Sequence, residues 1–238
     1  MTVGRTLAGL WLVIAGGATA GLAQQQPDPN QSGYKDTPAQ QAEHDFMIYV
    51  RCVAARRYER ARNVVLAPFG SSEQDKAFNK AVLSVGDPCL RTGFGSVHMN
   101  VRPDVLAGGL AQALVTRDFP DLPTVIEGAA VDADRERQRV SQLTPTERFG
   151  RCIVWRDPGA VQALLRADPR SPGERQAVQT LKRNMGYCLV EGGTLRINTM
   201  FLRNATAIAA YRLGQEISPR GARGTSAPGA GRTGMKNA

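Results

Sequence analysis

The 238-residue sequence contains few of the residues, and none of the motifs, on which common enzymatic chemistries depend. Its two histidines, His44 and His98, lie far apart in the chain. A general base needs an oriented partner, so isolated histidines are interpreted as surface residues. There is no G-x-S-x-G nucleophile motif, and no glycine-rich phosphate-binding motif opens a helix after a strand. The sequence therefore nominates no catalytic residue and no nucleotide site.

Cysteine is also scarce, with four residues at positions 52, 89, 152 and 188. Zinc sites usually combine closely spaced cysteines with histidines, and redox sites use Cys-x-x-Cys. Neither pattern occurs, so the sequence predicts no metal and no cofactor.

The longest apolar run, 7–18, has twelve residues, which is too short to span a bilayer. Arg5 precedes it and small residues follow, a pattern typical of a secretory signal peptide over residues 1–23, with cleavage after Ala20 or Ala23. An uncleaved membrane anchor is disfavoured by the length of the run. We expect a periplasmic or secreted protein without a transmembrane segment after cleavage, in an oxidising compartment where cysteines form disulfides.

The sequence contains one unit twice. Arg51-Cys52-Val53 precedes two helical runs and Cys89-Leu90, and Arg151-Cys152-Ile153 precedes two helical runs and Cys188-Leu189. An offset of one hundred residues also aligns Val64-Val65 with Leu164-Leu165 and Ala67 with Ala167. Only two copies are present, which predicts a pseudo-symmetric domain rather than a solenoid, because solenoids need three or more stacked units.

Four cysteines allow three connectivities. The duplication favours Cys52–Cys89 and Cys152–Cys188, since one unit present twice should close the same bridge twice. In the chain-entropy model each bridge would stabilise the fold by about 4 kcal/mol.

Helix start signals occur at Thr37-Pro38, Thr144-Pro145 and Ser171-Pro172, where a capping residue precedes a proline in the first turn. In copy one we expect a long first helix, which in copy two is broken into two at Asp157-Pro158. Final helices are predicted over 103–117 and 199–214. Before them, alternating apolar residues predict two short strands that pair as a ribbon: Val97 and Met99, and Leu195 and Ile197.

The predicted fold class is therefore mainly α, with two tandem helical repeats forming one pseudo-symmetric, disulfide-bonded domain with a short β ribbon. The predicted segments are a signal peptide (1–23), a flexible leader and helix start (24–43), repeat one (44–118), a charged connector (119–143), repeat two (144–214) and a disordered basic tail (215–238).

Four arginines occupy equivalent positions beside the first cysteine of each copy: Arg51 and Arg151, and Arg56 and Arg156. The simpler interpretation is that they form ion pairs or helix-capping contacts that support the fold. The alternative is a duplicated anion site, because the guanidinium fork suits phosphate and carboxylate groups.

The order of these motifs, [FY]-x-R-C-[VI], then C-L, then G-[ST]-[VL]-x-[MI]-N before a last helix, resembles a family of uncharacterised, exported tandem-repeat proteins of Gram-negative bacteria. The resemblance covers residues 44–214. It implies export and duplication, and it carries no catalytic motif.

The function that these observations favour is a non-catalytic binding or envelope-interaction module. One alternative is a polyanion binder, which the net charge of +9 and the basic tail favour. Another is a hydrolase with a carboxylate site that the sequence does not reveal. The partner class stays open between anionic envelope components and another exported protein, and nucleic acid is not expected.

Overall fold

The computed structural model describes residues 38–82, 88–91, 101–129, 133–189 and 196–218. Within these ranges the chain is helical. The α-helices are α1 (Pro38–Arg56), α2 (Tyr58–Leu66), α3 (Ser72–Val82), α4 (Pro103–Asp118), α5 (Leu122–Glu127), α6 (Ala133–Ser141), α7 (Pro145–Arg156), α8 (Pro158–Arg166), α9 (Pro172–Met185) and α10 (Thr199–Ile217). Short 3₁₀ helices span Pro88–Arg91 and Gly186–Cys188.

The helix starts of the second half follow the predicted capping chemistry. Thr144 and Glu147 form a reciprocal capping box at the start of α7, and the side chains of Asp157 and Ser171 accept hydrogen bonds from the first turns of α8 and α9. Each cap satisfies backbone N–H groups that have no partner inside the helix. The predicted starts at residues 145, 158 and 172 are thereby confirmed.

The predicted unbroken first helix of copy one is wrong. The chain leaves helical geometry at Arg57, so α1 ends at Arg56 and α2 begins at Tyr58. The Arg57 guanidinium donates a hydrogen bond to the Ala81 carbonyl oxygen in the last turn of α3, at 3.0 Å. A side chain held across to α3 thus accompanies the break, without the proline that marks the corresponding break before α8.

Both predicted disulfides are present, and in each the Cα atoms lie 5.6 Å apart. Cys52 of α1 is bonded to Cys89, and Cys152 of α7 to Cys188. Each bridge therefore connects the first helix of a unit to the 3₁₀ helix that follows its third helix.

Helices α4 and α10 form the centre of the structure. They pack against each other, and α10 also packs on α7 and contacts α2, α5 and α8. Close approach depends on glycine: a Cβ at Gly108 would lie 2.3 Å from Cγ of Asn204, and a Cβ at Gly150 would lie 2.4 Å from the Ala205 carbonyl oxygen. These distances are shorter than any normal contact, so α10 can pack this closely only where α4 and α7 carry glycine.

In the described residues, the connector, the end of the last helix and the ribbon differ from their predictions. The connector contains α5 and α6, and α10 continues to Ile217, beyond the predicted end at residue 214. Most of the predicted ribbon, with Val97, Met99 and Leu195, lies outside the described residues, and residues 196–198 lead into α10 without strand structure. No helix in the described ranges is long and apolar enough to cross a membrane.

Candidate functional site

The four predicted arginines differ in their surroundings. Arg151 is buried on α7, and its guanidinium donates two hydrogen bonds to the Glu136 carboxylate at 2.6 and 2.7 Å and one to Glu216 at 2.8 Å. Burial alone would lower the pKa of Arg151, but the hydrogen bonds that it donates to Glu136 and Glu216 raise it. Arg151 therefore joins α6, α7 and α10 within the fold.

The other three arginines are exposed. Arg51 and Arg56 lie on α1 and have no carboxylate partner among the described residues. Arg156 lies over the ring of the exposed Tyr187, with its guanidinium carbon 4.8 Å from the ring centroid. Anion binding by these exposed arginines stays a prediction.

A groove of about 420 Å³ runs beside the first half of α10, and we call it the α10 groove. It is bounded by the start of α4, the first turn of α7 and the loop between α2 and α3. Its apolar lining comes from Phe69, Val105, Met200, Phe201, Ala205 and Ile208. A smaller cavity of about 40 Å³ shares four of its residues and extends along α10 toward Arg212 and Glu216.

Six polar side chains line the α10 groove: Arg102, Asp104, Thr146, Arg196, Asn198 and Asn204. Arg102 is engaged by Asp104 in a two-point ion pair, at 3.0 and 2.8 Å. Arg196 is exposed and has no ion-pair partner among the described residues. Asn204, which packs against Gly108, presents its amide to the groove from a fixed position. The α10 groove thus combines apolar side chains with the Arg102–Asp104 ion pair, the amides of Asn198 and Asn204, and Arg196, a cation without an ion-pair partner among the described residues.

A second cavity, of about 90 Å³, lies where α1 and α4 meet α9 and α10, and we call it the junction cavity. Arg170 lies at its edge in the left-handed backbone region, with φ of 62°. Its guanidinium donates to the Glu43 carboxylate at 2.7 and 2.8 Å. These hydrogen bonds and the charge of Glu43 raise the pKa of Arg170.

Two carboxylates near α10, those of Glu136 and Glu147, have lowered pKa values. Hydrogen bonds from Arg151 are the largest influence on Glu136, and they lower its pKa despite its partial burial. Burial opposes ionisation of Glu147, but hydrogen bonds from Thr144 and Arg212 outweigh it and lower the pKa. Glu174 forms a buried ion pair with Arg203 at 2.6 Å. A general acid needs the opposite, a carboxyl group with a raised pKa.

A tyrosine cluster lies at the C-terminal half of α10. The hydroxyls of Tyr58 and Tyr211 both donate to the Asp118 carboxylate, at 2.8 and 3.2 Å. Burial is the largest cause of the raised pKa of both tyrosines, which therefore remain protonated donors at neutral pH. The cluster joins α2, α4 and α10 as a structural network.

In the described residues, neither a histidine nor a cluster of metal-ligating side chains forms a candidate site. His44 is exposed on α1, with Nδ1 3.8 Å from Asp45, and His98 lies outside the described residues. The described ranges contain no group of three or more histidine, cysteine or carboxylate side chains arranged to hold a metal ion.

Sequence reasoning missed both the α10 groove and the junction cavity. Their linings combine residues from distant helices, so no local motif marks them. One signal was present: at the one-hundred-residue offset Gly70 aligns with Arg170, and a bulky residue in place of a turn glycine indicates a side chain with a specific role.

Comparison with known proteins finds no matching family model, no similar curated protein and no similar solved structure.

Proposed function

We propose that this protein is a non-catalytic binding module whose ligand, an elongated amphipathic anion, occupies the α10 groove. The ligand class is a molecule with an apolar body and one carboxylate or phosphate group. The observation that carries the proposal is the exposed Arg196, which lines the groove beside apolar side chains and has no ion-pair partner among the described residues.

The dimensions and chemistry of the groove support this ligand class. Small-molecule sites commonly measure about 300–1,000 Å³ and pair an apolar lining with a few positioned polar groups. Burial of the apolar body would contribute roughly 25 cal/mol per Å². Arg196 would bind the anionic group through charge-assisted hydrogen bonds, and Asn204 would fix its orientation.

A binding role also agrees with the state of the carboxylates. Glu136 and Glu147 have lowered pKa values beside their arginines, which favours permanent ion pairs over proton transfer. The hydrolase alternative gains no support from these groups.

The wider organisation belongs to the same proposal. We infer that α1–α4 and α7–α10 are two copies of one ancestral unit, related by a pseudo-two-fold axis. The equivalent helix order and the equivalent disulfides support this inference. The disulfides also support export to an oxidising compartment such as the periplasm, as in the Gram-negative family that the sequence resembles.

Titration calorimetry with dodecanoate tests the proposed function, with dodecanol as the uncharged ligand of equal chain length. We expect dodecanoate to bind and dodecanol to bind at least about tenfold more weakly, because only the acid can pair with Arg196. Arg196→Gln should weaken dodecanoate binding by about the same factor. Arg183→Gln, which removes an exposed charge from α9 outside the groove, is the matched control. Equal binding of both ligands, or equal effects of both variants, would refute the proposal.

A second candidate function is polyanion binding at the surface of α1. The exposure of Arg51 and Arg56 favours it, together with the net charge of +9. Binding to inorganic polyphosphate should weaken steeply with salt, and the double variant Arg51→Gln/Arg56→Gln should reduce it. Unchanged binding by the double variant would exclude these arginines.

A further inference from the structure

The junction cavity has an apolar lining and few polar groups that are free to bind water. Phe46 and Met47 from α1 face Val105 from α4 and Met200 from α10. The charged groups at its walls bond to one another: Arg203 pairs with Glu174, and Arg170 pairs with Glu43. A buried water needs two to four polar partners, so this largely apolar lining favours a small apolar molecule over ordered water.

Arg170 closes the edge of this cavity at a steric cost. Its backbone N–H donates to the Glu174 carboxylate at 2.6 Å in a turn that requires positive φ. Gly70 forms the equivalent turn in the first half, with φ of 69°. Because glycine makes this turn without strain, the reason for arginine must lie in its side chain. That side chain crosses from the α8–α9 loop to α1 and binds Glu43.

We propose that the junction cavity is a binding site for a small uncharged apolar molecule, an aryl or short alkyl compound, and that the Arg170–Glu43 ion pair is the lid over its mouth. The site is separate from the α10 groove, although Val105, Met200 and Asn204 line both. It does not depend on the proposed function. An ion pair at the mouth breaks and re-forms without disturbing the packed helices, since both partners are partly exposed, at 47 % and 25 %.

Methionine methyl NMR of the full chain, with both disulfides formed and benzene as the probe, tests for the site. Met47 and Met200 line the cavity and Met185, at the end of α9, does not. We expect benzene to shift the Met47 and Met200 signals saturably and to leave Met185 unchanged. No saturable shift up to the solubility limit of benzene would overturn the proposal.

A blocking variant tests the location. Thr199 is exposed and lines the junction cavity without lining the groove, so Thr199→Trp should fill the mouth and weaken benzene binding at least about tenfold. Gln179→Trp places the same ring on the exposed surface of α9 and is the matched control. Equal benzene affinity in the two variants would place the benzene elsewhere and refute the site.

The lid has its own test, the exchange rate of bound benzene measured from the same signals. We expect Arg170→Gly to accelerate exchange about tenfold, because it removes the lid and keeps a residue suited to positive φ. Glu43→Gln leaves the turn intact and should also accelerate the exchange of benzene. It therefore tests the lid even if Arg170→Gly does not fold. Arg137→Ala breaks an exposed pair with Asp134 on α6 and should change nothing. If bound benzene exchanges at the wild-type rate in the Glu43→Gln variant, the ion pair only supports the fold, and the lid is refuted.

Discussion

Gly70 and Arg170 lie one hundred residues apart and share the same left-handed backbone, with φ of 69° and 62°. Each donates its backbone N–H to the side chain four residues later, Gln74 or Glu174, at 2.9 and 2.6 Å. Each is followed by a serine whose hydroxyl accepts a backbone N–H at 3.1 Å. The likeness of the two halves thus extends to individual hydrogen bonds, which supports the proposed duplication more strongly than helix order does.

Substitution of Gly70 should measure the free energy that a side chain loses in this left-handed backbone conformation. A Cβ at Gly70 would meet nothing within 4 Å, so Gly70→Ala adds no steric contact. It should lower the free energy of unfolding by about 1 kcal/mol, because alanine is strained in the left-handed backbone region. Gly159→Ala is the matched control, because Gly159 is also uncrowded and lies in the first turn of α8 without positive φ. It should be neutral or stabilising by about 0.5 kcal/mol. Urea unfolding measures both, and equal destabilisation would contradict the explanation.

Much of the fold was predictable because its signals are local. Capping residues mark the starts of α7, α8 and α9, and the repeated cysteine spacing gives both disulfides. The break at Arg57 was not predictable, since it coincides with a hydrogen bond to a carbonyl group twenty-four residues away. No capping residue or proline in the local sequence marks that boundary.

The candidate sites were less predictable for the same reason. Arg51 and Arg151 each directly precede the first cysteine of their half, yet one is exposed and the other is buried between two carboxylates. The difference comes in part from α6, which supplies Glu136 and lies in the predicted charged connector. These two positions, one hundred residues apart, meet different neighbours, so residue type alone does not assign a role.

Arg151 should be far more important for stability than its counterpart. Arg151→Met would leave Glu136 and Glu216 partly buried without their shared cation, so we expect a loss of about 3 kcal/mol. Arg51→Met changes an exposed residue and should stay within about 0.5 kcal/mol of the wild type. Denaturant midpoints of the two variants measure the difference. Similar midpoints would show that the ion pairs around Arg151 contribute nothing net.

Acid should destabilise the protein through the carboxylates whose pKa values are lowered by folding. For Glu147 the ordinary value is 4.5 and the folded value is lower, so the unfolded chain binds more protons between the two. Stability from this group is therefore complete above about pH 4.5 and is lost as pH falls through the folded pKa. Glu147→Gln should lower stability at pH 7 and flatten the decline below pH 4.5. Thermal midpoints from pH 7 to 3 test this, with the exposed Glu127→Gln as control, and an unchanged slope in Glu147→Gln would contradict it.

The two halves should fold only together. Leu110 and Leu114 of α4 are fully buried in a core that α10 completes, and Gly108 of α4 receives Asn204 of α10 in close contact. Residues 24–128 alone would leave this face of α4 in water, and burial of a leucine is worth roughly 1.5–3 kcal/mol. We therefore expect that fragment, with Cys52–Cys89 formed, to be molten, aggregated or dimeric by near-ultraviolet circular dichroism and size-exclusion chromatography.

Mixing this fragment with residues 129–238 should restore a native spectrum, and the full chain should unfold in one cooperative step. A monomeric, fully folded fragment, together with two separate transitions in the full chain, would show that each half stands alone and that the α4–α10 contact is dispensable.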